Sequence, residues 1–429
     1  MRGKKKTILK SIFASLFLIN MIFIMGTVTA EAAPAKVTGV KQISADEDSV
    51  EVTWNTVLGS DIRYVVEYSQ DKKTWVEEYS YSSNEETIYD LNSGATYFVR
   101  VKAISDSYDA STAQQGAYSD IIEVVTAPDV TTETMVQSDA TSSSVTVYWN
   151  AVPGATAYDV YYCCYSISPD NVYVGTVAAT SAVIGNIPAD QSYIVYVYPK
   201  RTAVTTGFTA ADSLEYFSVR ALTTPGKPDI SVCDRDPRKK IGNKKNANYN
   251  TLEVQYTYGS NASGYEVYLY NAKGKKKKTI DNANNFGTST TFKSVKSTYT
   301  VFVQVVPYIL INGVKKYGDA SDKIISIGAP TPKASKSGSG VKISWTKVPN
   351  AKKYEVYMST SAQKGYKKIK TLKSNKTSFV LTKFKGKKLQ RYQTYYYYVK
   401  AVGTYGGKKN AKSDIFYYNS FWFSSIRIY

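Results

Sequence analysis

The sequence predicts an all-β protein: a tandem array of four antiparallel β-sandwiches, placed after a signal peptide. Three observations support this prediction: an internal repeat of alternating strands, an abundance of tyrosine, and no helical periodicity beyond residue 32. The 39 tyrosines among 429 residues suit half-buried sheet surfaces, because the ring packs inward while the hydroxyl reaches water.

Residues 1–32 have the pattern of a secretory signal peptide. Residues 4–6 form a lysine n-region, residues 12–25 form an apolar h-region, and Ala30 stands among small residues suited to cleavage. An uncleaved N-terminal anchor is the alternative, but the apolar stretch is short for a span of roughly 20 residues. We therefore expect a secreted or extracellular protein. One version of this hypothesis places the protein on the cell wall. No membrane span is expected in the mature chain.

The repeat consists of three landmarks that recur four times. The first is an alternating strand that ends in an aromatic residue, at 50–54, 145–149, 252–256 and 341–345. The second is a tyrosine-led strand 9 or 10 residues later, at Tyr64, Tyr158, Tyr265 and Tyr354. The third opens 43 to 50 residues after the first aromatic residue, at Tyr97, Tyr193, Tyr299 and Tyr395. The longest of these spacings indicates an insertion at 383–388 in the fourth repeat.

These landmarks divide the mature chain into module one (33–127), module two (128–224), module three (225–329) and module four (330–429). The joints are placed at Pro128, Pro225 and Pro330, because proline interrupts strand pairing. The last strand of modules one, three and four is expected to follow a Ser-Asp pair, at Ser119, Ser321 and Ser413.

Module by module, the landmarks resemble those of fibronectin type III domains. They include a strand B tryptophan, a tyrosine that opens strand C, and a leucine before the tyrosine that opens strand F, as in Leu91 and Tyr97. The resemblance implies that the tryptophans are core residues and that the strand F tyrosines tie a corner to nearby backbone. The tryptophans concerned are Trp54, Trp149 and Trp345. Module three departs from the pattern, since Tyr256 replaces the tryptophan and a polar segment, 234–250, precedes it.

No arrangement for catalysis is recognised in the sequence. The chain has no histidine, and no P-loop or dinucleotide fingerprint occurs. The acidic clusters at 46–48, 77–78 and 85–86 fall in predicted loops or hairpins of module one, so we assign them to solvated charge rather than to a glycosidase. We expect no enzyme, no catalytic residue and no cofactor.

The three cysteines predict neither a disulfide framework nor a metal site. Cys163 and Cys164 are adjacent, so on a strand they point to opposite faces and cannot easily pair with each other. We expect partly buried, free side chains. Whether Cys233 pairs with either of them stays open.

Charge is distributed unevenly along the chain. Modules one and two contain 10 basic and 24 acidic residues, whereas modules three and four contain 39 and 10. Such a basic field concentrates anionic polymers at low salt, although lysine runs can also serve solubility alone. The candidate polyanion-binding residues are Lys239, Lys240, Lys244, Lys245, Lys275, Lys276, Lys277, Lys278, Lys367, Lys368, Lys385, Lys387, Lys388, Lys408 and Lys409.

The C-terminal tail is a second candidate contact region. The last strand of module four is expected at 415–418, which leaves Phe421, Trp422 and Phe423 beyond it. Three consecutive aromatic residues cannot all face one side of a strand, so at least one is expected at a surface. The alternative is a tail that extends the last strand or folds back over its own sandwich.

Two functions are compatible with these features. The first is a non-catalytic adhesion or binding scaffold whose basic C-terminal half docks on an anionic cell-wall polymer or polysaccharide, with surface proteins as further partners. The second is a soluble carbohydrate-binding accessory protein that uses exposed tyrosines. Salt distinguishes them, because docking on polyanions weakens with ionic strength and aromatic stacking does not. Nucleic acid is not an expected partner, since no recognition helix or aromatic RNA-binding motif occurs.

Overall fold

A computed structural model describes residues 32–59, 61–80, 83–105, 113–130, 134–212, 215–233, 250–283, 287–296, 298–362, 364–413 and 424–427. The regular structure of these residues consists of β-strands in antiparallel sheets, which confirms the all-β, tandem-sandwich prediction. No helix among them is long and apolar enough to cross a membrane.

Module one is a sandwich of two sheets ordered β1-β2-β5 and β4-β3-β6-β7. Every second residue of the strand from Thr96 to Ser105 is buried, as the alternating sequence predicts. Side chains from both sheets form one core that includes Trp54, Tyr64 and Tyr97. The strands are β1 Lys41–Ala45, β2 Val50–Thr53, β3 Ile62–Ser69, β4 Val76–Ser80, β5 Glu85–Ile88, β6 Thr96–Ser105 and β7 Ile122–Val125.

Module two contains two sheets of three and five strands. Trp149 is 2% exposed and packs edge-on against Phe217. The strands are β8 Met135–Ala140, β9 Ser144–Trp149, β10 Ala157–Cys164, β11 Ser168–Val177, β12 Ser181–Gly185, β13 Ser192–Thr202, β14 Thr209–Ala210 and β15 Phe217–Leu222. The sheet orders are β12-β9-β8 and β11-β10-β13-β14, with β15 also paired to β13. Cys163 and Cys164 are buried, and neither forms a disulfide with a described residue.

Module three has the same two-sheet arrangement despite its divergent sequence. Its first strand pairs with the next one from Ile230↔Tyr256 to Cys233↔Glu253. The strands are β16 Ile230–Cys233, β17 Asn250–Tyr256, β18 Gly264–Asn271, β19 Lys276–Ala283, β20 Ser289–Val295, β21 Val301–Ile311, β22 Val314–Tyr317 and β23 Ile324–Ser326. The sheet orders are β16-β17-β20 and β19-β18-β21-β22, with β23 paired to β21.

Module four adds a small hairpin at the predicted insertion. Lys385 and Gly386 form its turn with φ of 48° and 79°, and Phe384 packs against Tyr395. The strands are β24 Pro332–Ser337, β25 Gly340–Trp345, β26 Ala351–Ser359, β27 Lys367–Lys373, β28 Ser378–Leu381, β29 Lys383–Phe384, β30 Lys387–Lys388, β31 Thr394–Tyr405, β32 Lys408–Lys412 and β33 Ser424–Arg427. The sheet orders are β24-β25-β28, β29-β30 and β27-β26-β31-β32, with β33 paired to β31.

The chain separates into two compact units. The first comprises Met1–Thr132, Ala151–Tyr158 and Tyr198–Tyr216, and the second comprises Glu133–Asn150, Asp159–Val197 and Phe217–Tyr429. This division does not test the module boundaries drawn from the sequence, which stay predictions.

An aromatic pair and a hydrogen bond recur at the start of strand C. The strand B aromatic ring packs on the strand C tyrosine in Trp54–Tyr64 and Trp345–Tyr354, with ring centroids 5.2 and 5.4 Å apart. The Tyr64 hydroxyl accepts a hydrogen bond from the Val57 amide at 2.9 Å. Equivalent bonds of 2.7 to 3.0 Å reach Tyr158, Tyr265 and Tyr354 from the amides of Val152, Gly259 and Val348. In each module, one tyrosine therefore packs in the core and provides a hydrogen-bond acceptor for a backbone amide of the B–C turn.

The strand F tyrosines behave as predicted in three modules. The Tyr97 and Tyr395 hydroxyls accept hydrogen bonds from the amides five residues before them, and the Tyr193 hydroxyl donates to the Pro188 carbonyl. The Tyr299 ring differs from these three, because it is 48% exposed and lies outside the core. The reason is the short connection after β20: the Tyr299 amide donates to the Lys296 carbonyl in a tight turn, so the ring stays outside the core.

The serines of the Ser-Asp pairs make two bonds to strand F. The hydroxyl of Ser119 accepts a hydrogen bond from the Val101 amide at 3.0 Å, and the Ser119 amide donates to the Val101 carbonyl. Ser321 and Ser413 make the same two bonds with Val305 and Ala401. Serine at this position thus pairs with strand F, three residues before the last strand begins in modules one and three.

The tail requires a correction. The strand that pairs with β31 in the position of a last strand is β33, with Thr394↔Arg427 and Tyr397↔Ser424. Ile426 packs against the core of module four. Residues 415–418, where the sequence predicted this strand, lie outside the described residues, as do Phe421, Trp422 and Phe423. The alternative in which the tail belongs to its own sandwich is therefore favoured.

We predict that Tyr354→Phe destabilises module four by about 1 to 2 kcal/mol, because the buried Val348 amide loses its acceptor while the ring is kept. Calorimetric unfolding of the full chain measures the change. Tyr392→Phe, at a 66% exposed ring, is the matched control. Equal unfolding of Tyr354→Phe and the control would show that the hydroxyl is not needed.

We also predict that deletion of residues 420–429 unfolds module four at a lower temperature, because it removes β33 and the Ile426 core contact. Hydrogen exchange of β31 measures the effect, and β21 of module three is the internal control. Unchanged exchange of β31 would contradict the assignment of β33 to this sheet.

Candidate functional site

The described candidate lysines are exposed and lie on several elements of modules three and four. Lys275 to Lys278 occupy the β18–β19 turn and the start of β19. Lys367 and Lys368 begin β27, while Lys408 and Lys409 begin β32, at the opposite edge of the same sheet. Lys385, Lys387 and Lys388 lie on the β29–β30 hairpin. Lys239, Lys240, Lys244 and Lys245 lie outside the described residues. The structure thus spreads these lysines over surfaces rather than gathering them in one cleft.

The outer face of the larger module-four sheet carries one carboxylate, that of Glu355, among these lysines. Glu355 is 4% exposed, and its carboxylate accepts hydrogen bonds from Lys412 at 2.9 Å and from the Tyr357 hydroxyl at 2.7 Å. Lys368 lies 3.7 Å away on the other side. Burial alone raises the pKa of Glu355, but these hydrogen bonds and positive charges outweigh it and lower that pKa to about 2.

Tyrosine rings extend the same face. Tyr357 and Tyr398 face each other across β26 and β31 and stack with centroids 4.8 Å apart, and Tyr366 packs 5.0 Å from Tyr398. Lys400 lies opposite Glu355 in the register of these strands. We call Glu355, Tyr357, Tyr366, Tyr398, Lys368, Lys400 and Lys412 the Tyr–Lys face. It combines flat aromatic surface with ammonium groups.

Module three presents a related face. Glu266 accepts hydrogen bonds from Lys315 at 2.8 Å and from Tyr268 and Tyr317. Burial raises the pKa of Glu266, yet these hydrogen bonds and the charge of Lys315 lower it overall. Lys276, one of the candidates, lies 3.5 Å from the centroid of the Tyr268 ring, a cation–π contact. The face repeats the combination of one carboxylate, lysines and tyrosines.

Module one uses arginine instead of lysine at this place. The Arg100 guanidinium lies 4.0 Å from the ring centroids of both Trp75 and Tyr118, and it bonds the buried Glu67 at 2.7 Å. Such a stacked, paired cation is already satisfied, so it is a poor contact for a polymer. Sequence reasoning missed Trp75, Arg100, Lys315 and Lys412. For Arg100, Lys315 and Lys412, outward positions in strands were the available signal, whereas Trp75 precedes β4.

Three carboxylates converge in the first compact unit. One oxygen each of Glu47, Asp129 and Glu215 lies within 4.8 Å of the others. Burial and the charges of Asp129 and Glu215 raise the pKa of Glu47. Oxygen ligands of this kind suit Ca²⁺ or Mg²⁺, so these residues are where the described part of the chain could hold a divalent cation. The sequence predicted no metal site, because only histidine and cysteine ligands were weighed.

Exposed tyrosines, on which the carbohydrate-binding alternative depends, are found in every module. They include Tyr89, Tyr148, Tyr165, Tyr299 and Tyr392. In module two, Tyr161 and Tyr173 pack at 5.0 Å with a 48° tilt. The three strand B tryptophans are buried, so the prediction that they are core residues rather than sugar platforms is confirmed.

Most of module one matches a known domain family. Residues 34–116 match the family model of the fibronectin type III domain. Fibronectin type III domains are commonly non-catalytic modules of adhesion and scaffold proteins.

Two solved structures are among those matched by this chain. A structure of chicken CNTN1 domains FN1–FN3 is 17% identical, covers 69% of this chain and 99% of its own, and has a TM-score of 0.25. A two-domain fibronectin type III segment of chicken tenascin is also 17% identical, covers 44% of this chain and 99% of its own, and has the same TM-score. A search of curated proteins found no match.

We predict that Glu355→Gln destabilises module four at pH 7 by roughly 3 kcal/mol, the free energy that corresponds to the lowered pKa. Because the folded pKa is below the ordinary value of 4.5, this stability is present above pH 4.5 and is lost as the pH falls towards 2. Calorimetry at pH 7, 4.5 and 2.5 should show the gap to wild type closing. Glu253→Gln is the control, and a gap that stays constant with pH would contradict the pairing.

Proposed function

We propose that this chain is a non-catalytic, exported binding scaffold whose modules three and four dock on anionic polymers, such as acidic polysaccharides of a cell envelope. The observation that supports this function most is the charge arrangement of module four. Its 100 residues include 22 lysines and arginines but only two acidic residues, Glu355 and Asp414. Glu355 is buried beneath Lys368 and Lys412. Most cations of the module therefore have no carboxylate of their own module to pair with.

The geometry suits a polymer rather than a small substrate. The candidate lysines lie at both edges of one sheet and on the β29–β30 hairpin, so a long chain can contact several of them in succession. Lysine ammonium groups on flexible stems favour diffuse attraction over bidentate recognition. The Tyr–Lys face adds aromatic surface, which favours a polymer of sugar rings over a simple polyphosphate.

Modules one and two serve a different purpose in this proposal. Their net charge of about −14 disfavours the same polymer, so they extend away from it or contact other surface proteins. A cell-wall location follows from docking by the basic half and from the predicted signal peptide. The docking and the signal peptide both belong to this proposal, and the cell-wall location depends on them.

A binding experiment on the full chain tests the proposal. The triple variant Lys387→Gln, Lys388→Gln, Lys409→Gln is expected to bind immobilised polygalacturonate on the order of 100-fold more weakly than wild type at 50 mM salt. The reason is that a lysine near an anionic surface contributes roughly 1 kcal/mol. The matched control replaces three exposed lysines of module one: Lys41→Gln, Lys72→Gln, Lys73→Gln.

Salt supplies the second test. Binding of wild type is expected to fall steeply between 50 and 500 mM salt, because counterions screen the lysines. Equal loss in the two triple variants would remove modules three and four as the docking region. Binding that does not change with salt concentration, or that is tighter to a neutral galactan than to polygalacturonate, would favour the carbohydrate-stacking alternative instead.

A further inference from the structure

A cavity of about 600 Å³ opens at one end of module three, away from the Tyr–Lys face. Its floor is apolar, formed by Leu269, Val295 and Val301, each no more than 6% exposed. Tyr299 and Pro349 also line it. Its volume is that of a typical small-molecule site.

The cavity exists because module three lacks a packed corner tyrosine. In modules one and two the strand F tyrosine packs on a tyrosine four residues into strand C, in the pairs Tyr68–Tyr97 and Tyr162–Tyr193. Module three has Leu269 at the strand C position, and the turn at 296–299 keeps Tyr299 outside. Both changes remove aromatic volume from the same end of the sandwich. The space therefore depends on the sequence of this module, and Pro349 and Asn350 of module four also line it.

The rim of the cavity is strongly positive. Lys273, Lys277, Lys278 and Lys296 line it, and no acidic residue is present among its described lining residues. Lys278 donates a hydrogen bond to the Lys293 carbonyl at 3.0 Å, and the Lys296 ammonium lies 5.3 Å from the Tyr299 ring centroid. The rim thus places ammonium groups beside an apolar floor.

The loop that carries part of this rim is held in one conformation. The Asn271 side-chain oxygen accepts hydrogen bonds from the amides of Lys273 and Lys275, both at 3.0 Å, and the Lys275 carbonyl accepts one from the Asn271 amide. These bonds close the β18–β19 turn, so Lys273 and Lys277 are positioned before any ligand arrives. A preformed site loses less free energy on binding.

From this combination we propose that the cavity binds a free, single-chain amphipathic anion, of the class of a fatty-acid carboxylate. The apolar chain occupies the floor of Leu269, Val295 and Val301, where it is removed from water. The carboxylate stays at the rim among the lysines, which supply charge-assisted hydrogen bonds. A neutral sugar suits this floor poorly, since its hydroxyls would be buried against aliphatic side chains without partners. The cavity shares Lys277 and Lys278 with the candidate polymer-docking lysines, but its apolar floor and Lys296 are not part of that docking surface.

The test uses the full chain and a fluorescent amphipathic anion, 8-anilinonaphthalene-1-sulfonate, as reporter. Octanoate is expected to displace the reporter at least tenfold more effectively than 1-octanol, which has the same chain without the charge. Acetate, which has the charge without the chain, is expected not to displace it. Equal displacement by octanoate and 1-octanol would overturn the role of the rim.

Variants locate the site. Lys277→Ser with Lys296→Ser is expected to weaken octanoate at least tenfold, and so is Ala272→Glu, which adds a negative charge at an exposed lining position without touching the core. Lys370→Ser with Lys373→Ser, at exposed positions of β27, is the matched control. Octanoate affinities unchanged in both cavity variants would place the binding elsewhere and overturn the proposal. Displacement by phosphatidylglycerol vesicles that matches octanoate and is lost in the cavity variants would overturn the assignment to a free anion in favour of a membrane lipid.

Discussion

The strand C tyrosine is the residue on which each sandwich depends. Its ring packs against the strand B aromatic residue in modules one, three and four, and in all four modules its hydroxyl accepts a hydrogen bond from an amide of the B–C turn, as in Trp345–Tyr354 and Val348. One side chain thus links a strand of each sheet to the turn that connects them. A buried amide without an acceptor is costly, so the turn and the core are fixed together. This interaction persists in module three, where Tyr256 replaces the tryptophan and packs 4.7 Å from Tyr265.

With the interior fixed in this way, the modules differ at their outer faces and ends. The position after the strand C tyrosine carries Glu266 or Glu355, and each carboxylate organises lysines and tyrosines around it. At one end of the sandwich, a packed corner tyrosine closes modules one and two, whereas Leu269 and the exposed Tyr299 leave module three open. Differences in binding chemistry are therefore concentrated at the outer faces and ends, where packing of the core places the fewest constraints on the sequence.

Much of the fold was predictable because burial alternates along strands, and the resemblance to fibronectin type III domains placed Trp54 in the core and Tyr97 at the strand F corner. Local connections could not be read with the same accuracy. The exposure of Tyr299 was not foreseen, because its amide is bonded to the nearby Lys296 carbonyl. The last strand of module four was misplaced because β33 is separated from Ser413 by an aromatic segment. Contacts between distant segments, such as Glu123 accepting the amides of Val204 and Thr205, leave no trace in a local pattern. The convergence of Glu47, Asp129 and Glu215 is of the same kind.

The central functional claim is that the basic half of the chain, and not the acidic half, contacts anionic polymer. Hydrogen–deuterium exchange of the full chain with and without polygalacturonate tests it most directly, because it reports on all modules at once. The account predicts slower exchange in β27, β30 and β32 of module four, with smaller effects in β19 of module three, and no change in β1 to β7 of module one. Protection confined to module one, or no protection in module four at a polymer concentration that saturates binding, would contradict it.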